Sequence, residues 1–184
     1  NPKLAVMDIE RIANLAHRHN MPLIIDNTFP TPVLCKPISF GADIVVHSTT
    51  KYMDGHALQV GGIIVDSGNF NWENGNYPDF CTPDESYHGV VYTRDFGRAA
   101  YVAKARMQLM RDFGCYPAAH SSFLLNIGVE TLALRMKQYS ENAMKVAKFF
   151  EQSGYFDVVA YPGLESDKYY DLGKKYLSNG AAGV

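Results

Sequence analysis

The chain of 184 residues is 47% hydrophobic and 20% charged, a composition typical of a folded globular protein that excludes disordered, collagen-like and coiled-coil classes. Lys and Arg number 17 against 19 Asp and Glu, and no stretch concentrates the basic residues, so nucleic acid is not an expected partner. The apolar runs are too short to cross a bilayer and the start carries no signal pattern, so we expect a cytoplasmic protein without a membrane span.

The three cysteines, Cys35, Cys81 and Cys115, lie far apart and form neither a CxxC pair nor a disulfide framework. We expect them to be reduced, and the scattered histidines predict no metal site. The chain opens at Asn1 without a methionine and stops in a stretch that reads as the approach to a strand. We therefore expect a piece of a longer protein.

Apolar residues at helical spacing over residues 9–16 predict an amphipathic helix with Asp8 as its N-cap. Two short, wholly apolar runs follow at 23–25 and 44–46, and their character indicates strands buried on both faces. The segment between them contains three prolines and leaves space for at most a brief helical turn. Helix and buried strand in alternation indicate an α/β layer.

A third strand is predicted over residues 61–65, and the Gly-, Asn- and Pro-rich segment 66–90 predicts a long loop. Three consecutive helical patterns follow, at about 98–112, 121–137 and 139–152. The apolar stretch 156–159 has the pattern of a further strand. Because helices now follow one another, we expect a second domain to begin near residue 132.

Polar side chains follow both strands of the predicted pair: Asp26 ends the first, and Ser48, Thr50 and Lys51 follow the second. The C-terminal edge of a parallel sheet is where α/β proteins bind ligands. A carboxylate beside a buried strand needs a cation or strong donors, and two hydroxyls next to a lysine suit an anion. Pyridoxal phosphate needs an amine for its aldehyde, an acid beside its ring nitrogen and donors for its phosphate, so it fits all three features.

Each of these residues also has an ordinary structural explanation. Asp26 fits a cap for the turn that follows it, and Lys51 fits a solvated loop lysine. The hydroxyls of Ser48 and Thr50 fit the polar end of a strand. Spacing alone leaves the two interpretations open.

Longer stretches carry a family resemblance. They are DNTF at 26–29, GADIVVHSTTKY at 41–52, GH at 55–56 and GG at 61–62, and they resemble the Cys/Met-metabolism family of pyridoxal-phosphate enzymes. Residues 84–89, 123–125, 128–132 and 161–166 are similar to the O-acetylhomoserine sulfhydrylase branch of that family. The resemblance covers essentially the whole chain in family order. The loop after Lys51 departs from it, since family members commonly have GGHG where this chain has DGHALQ.

The resemblance implies specific roles for the residues at the sheet edge. Lys51 forms the Schiff base with pyridoxal phosphate, and Asp26 is the partner of its pyridine nitrogen. The resemblance also implies that Ser48 and Thr50 contact the phosphate. Thr28 is expected to pack against the ring face, and Asn1 to lie near the ring hydroxyl.

The implied fold is α/β of the aspartate-aminotransferase-like type, fold type I. Residues 1–131 form the C-terminal part of the cofactor-binding major domain, and residues 132–184 begin the smaller C-terminal domain. The implied assembly is a homotetramer, a dimer of dimers, and the implied reaction is γ-replacement on O-acetyl-L-homoserine with sulfide, giving homocysteine and acetate. Two alternatives stay open: a cystathionine γ-synthase or methionine γ-lyase-type enzyme of the same family, and a non-catalytic fragment or ligand-binding module.

Overall fold

The computed structural model describes residues 3–178 and 180–181, and over these residues the chain is a mixed α/β fold with a three-stranded sheet. The strands are β1 (Ile24–Asp26), β2 (Ile44–Ser48) and β3 (Gly62–Asp66), which lie side by side in that order. β1 and β2 are parallel, as two strands joined by a crossover should be, and β3 is antiparallel to β2. The chain therefore reverses direction after β2, and β3 begins at the end of the sheet where β2 ends.

The helices are α1 (Ile9–Arg18), α2 (Thr31–Leu34), α3 (Pro78–Cys81), α4 (Tyr92–Phe96), α5 (Ala100–Lys104), α6 (Arg111–Phe113), α7 (Ala119–Glu130), α8 (Leu132–Ser153) and α9 (Tyr170–Tyr176). Short 3-10 turns lie at Pro37–Phe40, Glu85–Tyr87 and Gly97–Ala99, and a π-helical segment, Ala105–Met110, joins α5 to α6. None of the helices within the described residues combines the length and the apolar character needed to cross a bilayer.

The helix α1 begins directly after Asp8, as its sequence predicts, and ends at Arg18. Asp8 caps it by accepting a hydrogen bond from the backbone N–H of Arg11 at 3.3 Å. In its last turn, His17 Nε2 lies 2.8 Å from a carboxylate oxygen of Asp43, which also accepts the N–H of Leu23 at 2.8 Å. These bonds attach α1 to the starts of β1 and β2.

The predicted loop 66–90 is irregular over most of its length, but aromatic packing fixes it. Trp72 is buried and stacks on Phe80, with ring centroids 4.4 Å apart, and on Tyr101, at 5.5 Å. The same cluster contains Ile44 of β2 and the fully buried Tyr92. Because aromatic rings bury large apolar areas, this cluster stabilises the loop against the sheet.

The expectation that both faces of β1 are buried is wrong. Ile25 is 5% exposed and packs with Ala42 and Val45, whereas Ile24 is 50% exposed. Successive side chains of a strand point to opposite faces, and Ile24 faces a cavity rather than the core.

Two further expectations differ from the structure. The stretch 156–159 forms no strand: Val158 is 80% exposed, and no strand within the described residues pairs with this stretch. The predicted helix break near residue 138 lies instead at Thr131, between α7 and α8. Residues 137–139 contain no helix breaker, and α8 continues through them. The domain division at residues 131 and 132 falls at Thr131 and stays a prediction.

We expect Met136→Ala to lower the free energy of unfolding by about 2–5 kcal/mol, because it leaves a cavity in the core. Met136 is completely buried and packs with Leu34 of α2 and with Leu132. Urea denaturation measures the loss. Leu134→Ala, on the same helix but 73% exposed, is the control and should change the value by less than about 0.5 kcal/mol. Equal losses in the two variants would contradict this packing of α8.

Candidate active site

A cavity of about 510 Å³ lies at the carboxyl ends of β1 and β2. Its polar lining includes Asp26, Thr28, Ser48 and Lys51. The pairing of the strands explains this grouping, because Asp26 lies level with Val46, two residues before Ser48. The structure thus brings together four of the predicted site residues at the sheet edge where α/β proteins bind ligands.

Hydrogen bonds fasten the ends of β1 and β2 to each other. The backbone N–H of Thr28 donates to Asp26 Oδ1 at 3.0 Å, which orients the carboxylate. The hydroxyl of Thr28 accepts the N–H of Ser48 at 2.8 Å, and the N–H of Asn27 donates to the carbonyl of Val46 at 2.9 Å. Thr28 therefore links the two strands, a role that its place in the sequence did not indicate.

Asn27, which the sequence analysis did not single out, secures the turn that follows β1. Its side chain is 2% exposed, and its amide nitrogen donates to the carbonyls of Thr31 at 3.1 Å and Cys35 at 2.9 Å. Thr31 is fully buried with φ +55°, a strained conformation for a β-branched residue. The hydrogen bond from the Asn27 amide to the carbonyl of Thr31 helps to hold this conformation. The backbone that follows Asp26 is therefore fixed in one conformation.

Lys51 is exposed and lies on a tight turn directly after β2. The N–H of Gly55 donates to its carbonyl at 2.8 Å, and the N–H of Asp54 donates to the carbonyl of Thr49 at 3.0 Å. Among the ion pairs of the described residues, none involves Lys51 or Asp26. The amine and the carboxylate line one cavity without binding each other, so both are available to a ligand.

Among the described residues, one predicted site residue, Thr50, does not line the cavity. Thr50 directs its hydroxyl to Gly61, whose N–H donates to Thr50 Oγ1 at 3.2 Å. Together with the bond from Thr49 N–H to the carbonyl of Gly61, at 2.9 Å, it closes the loop between β2 and β3. The role of Thr50 as a phosphate ligand stays a prediction. Asn1 lies outside the described residues.

His47, on β2 beside Ser48, is 5% exposed and its Nδ1 has no hydrogen-bond partner within the described residues. Burial lowers the pKa of its imidazole, against the opposing effects of a hydrogen bond with the Asn27 backbone and the negative charge of Asp26. The sequence analysis gave His47 no functional role, and the structure places its ring among the buried side chains of β2.

These residues fit pyridoxal phosphate. The cavity offers the hydroxyl of Ser48 with an amine and a carboxylate that form no ion pair among the described residues, between apolar walls that include Ile24 and Leu34. No group of three His, Cys, Asp or Glu side chains placed to hold a metal ion occurs in the part of the chain that the structure describes. An amine, a carboxylate and a hydroxyl at one cavity suit an organic cofactor with an aldehyde and an anionic group.

We expect Thr28→Val to lower the free energy of unfolding by about 1–3 kcal/mol, because the N–H of Ser48 loses its acceptor. Hydrogen exchange at the Ser48 amide should become faster in this variant. Thr28→Ser keeps the hydroxyl and is the control. Unchanged exchange in Thr28→Val would show that the hydroxyl does not join the strands.

Comparison with known proteins places the chain in a family. A profile of the family described as Cys/Met metabolism PLP-dependent enzyme matches residues 1–184. Homocysteine/cysteine synthase of Saccharomyces cerevisiae is 49% identical, over 100% of this chain and 42% of the yeast protein. O-acetyl-L-homoserine sulfhydrylase of Leptospira meyeri is 44% identical, over 100% of this chain and 43% of that protein.

A solved structure from Campylobacter jejuni that contains N'-pyridoxyl-lysine-5'-monophosphate matches with a TM-score of 0.90 and 38% identity, over 99% of this chain and 45% of that one. The chain thus spans less than half the length of these relatives. The likeness confirms the expected aspartate-aminotransferase-like α/β fold. With the site residues of β1 and β2 gathered at one sheet edge and the profile matched from end to end, the chain belongs to the Cys/Met metabolism family of pyridoxal-phosphate-dependent enzymes.

Proposed function

We propose that this protein catalyses γ-replacement on O-acetyl-L-homoserine with sulfide, giving homocysteine and acetate. The observation that carries the proposal is that Lys51 and Asp26 line one cavity and form no ion pair among the described residues. The names of the relatives, homocysteine synthase and O-acetyl-L-homoserine sulfhydrylase, support the choice of substrate over that of a γ-lyase or a cystathionine γ-synthase.

When bound, pyridoxal phosphate supplies an aldehyde that condenses with amines and a cationic ring that withdraws electrons from the substrate's α-carbon. In our proposal Lys51 Nζ holds the cofactor covalently, and the Asp26 carboxylate keeps a proton on the ring nitrogen. Because the N–H of Thr28 fixes Asp26 Oδ1, the carboxylate stays aimed along one direction. Thr28, which lines the cavity, would pack against one face of the ring.

The hydroxyl of Ser48 is the main candidate for the phosphate, since Ser48 lines the cavity. Thr50 does not line the cavity, and its Oγ1 accepts the N–H of Gly61. Its first effect in our proposal is therefore to hold the loop that carries Lys51. The contact of Asn1 near the ring hydroxyl is proposed from the family resemblance.

With the substrate's amino group in its place on the cofactor, the Lys51 amine would be free to act as a base beside the substrate. We propose that Nζ takes the α-proton and moves protons between the α- and β-carbons. These transfers allow acetate to leave from the γ-carbon and sulfide to add there. The exposed position of Lys51 on a turn gives its long side chain the reach that two neighbouring carbons require.

We further propose that the protein acts in the cytoplasm as a homotetramer, a dimer of dimers. The family resemblance supports this assembly. Exposed apolar side chains on α7, Phe123 at 59% and Ile127 at 47%, provide surface of the kind that subunits bury.

We expect Lys51→Ala to abolish cofactor attachment and turnover. Borohydride reduction of the natural protein with pyridoxal phosphate, followed by peptide mass mapping, should place a pyridoxyl group on Lys51 and none at that position in the variant. Lys36→Ala, which removes another exposed lysine, is the control and should keep the adduct and the activity. Normal homocysteine formation by Lys51→Ala would refute the role of Lys51 as the cofactor-binding lysine. Turnover of the ester without sulfide would favour a γ-lyase.

We expect Asp26→Asn to lower kcat by about 10²–10⁴-fold, because an amide does not keep the ring nitrogen protonated. The fold should persist, since the amide oxygen still accepts the N–H of Thr28. Steady-state kinetics measure the loss, and circular dichroism checks the fold. Asp79→Asn, at an exposed position on α3, is the matched control. A wild-type kcat in Asp26→Asn would contradict the proposed role.

A further inference from the structure

The guanidinium of Arg135, in the first turns of α8, binds the segment that follows Lys51. Its acceptors are the carbonyls of Tyr52 at 2.7 Å, Gly128 at 2.7 Å and Met53 at 3.4 Å, and the hydroxyl of Thr131 at 3.0 Å. One half-buried side chain thus joins the Lys51 turn, the last turns of α7 and the start of α8. A guanidinium suits this position because its donors spread in a fixed plane.

Two glycines allow this contact to be close. Gly55 has φ +72°, and a Cβ atom there would lie 2.5 Å from Nη1 of Arg135. On α7, a Cβ atom at Gly128 would lie 2.8 Å from the carbonyl oxygen of Met53 and closer still to that of Asp54. The turn is therefore packed directly against the backbone of α7 on one side and against the guanidinium on another.

Within the turn, the carbonyl of Lys51 accepts the N–H of Gly55 at 2.8 Å, and the next carbonyl, that of Tyr52, is the one that Arg135 holds. The direction of the peptide after Lys51 is thus set by a bond to α8. The Lys51 side chain itself is exposed and forms no ion pair among the described residues. The backbone of the turn therefore sets the point from which the lysine side chain extends.

We propose that Arg135 is a positioning residue for Lys51. By fixing the carbonyls of Tyr52 and Met53 to α7 and α8, it sets the place of the Lys51 amine relative to the Asp26 carboxylate. The start of α8, the first part of the proposed C-terminal domain, then acts as a support of the catalytic lysine. This inference rests on the proposed role of Lys51.

The test uses Arg135→Lys and Arg135→Met in the natural full-length protein. Arg98→Lys is the matched control, because Arg98 also donates to loop carbonyls, those of Ser67 and Gly68, in a segment outside the Lys51 turn. Three quantities are measured: hydrogen exchange at the amides of the turn, the rate at which borohydride traps a pyridoxyl group on Lys51, and kcat with KM.

In Arg135→Lys we expect faster exchange at the Asp54 and Gly55 amides with unchanged exchange along β2. The trapping rate and kcat should fall by about ten- to a hundredfold, as a small displacement of a reacting group does, while KM changes less than about threefold. Arg135→Met, which keeps an unbranched apolar side chain and has no donor, should lose at least as much. Arg98→Lys should match the natural protein in all three quantities.

Wild-type trapping and kcat in both Arg135 variants would overturn the inference while leaving the role of Lys51 intact. Losses that merely follow a smaller folded fraction, with faster exchange throughout the protein and no change in kcat per folded molecule, would also overturn it. A natural protein that traps no pyridoxyl group on Lys51 would refute the proposed function itself, and the inference with it.

Discussion

The site depends on the parallel pairing of β1 with β2 in one register. That register sets Asp26 level with Val46, and the Thr28 hydroxyl extends the pairing past the last strand residue by accepting the N–H of Ser48. A slip of one residue would turn the Asp26 side chain to the opposite face of the sheet. Because Ile25 and Val45 are buried on the core face, such a slip would also expose apolar side chains, so the core enforces the geometry of the site.

Much of the fold and part of the site were predictable from local patterns. The helix capped by Asp8 and the three strands follow from apolar spacing, and Asp26, Ser48 and Lys51 were found because each follows an apolar strand. Sequence pattern could not give the direction of the Thr50 hydroxyl, which depends on where the chain returns at Gly61. The apolar stretch 156–159 shows the opposite failure: its composition suits a strand, but a strand also needs a neighbour to pair with.

The residues that support the site were harder to predict than those that line it. Asn27 and Arg135 donate to backbone carbonyls. Because every residue has a carbonyl, the sequence does not indicate which of them will be bound. Arg135 also lies far along the chain from the Tyr52 carbonyl that it binds, so only the folded structure brings the two together. The strained backbone of Thr31 and the bare backbone of Gly128 show that rigidity around the site comes from main-chain packing as much as from side-chain chemistry.

The loop between β2 and β3 is secured at its base, where Ser48 pairs with Gly62 and Thr49 bonds to Gly61, while its outer part around Leu58 and Val60 is exposed. Mutations in that outer part can accumulate without moving the lysine anchored below it. The departure of this chain from the usual family sequence begins at the buried Asp54, in the anchored turn, and continues to Gln59. The loop therefore combines a fixed base, which sets where the lysine's backbone lies, with an exposed rim at Leu58 and Val60 whose side chains tolerate replacement.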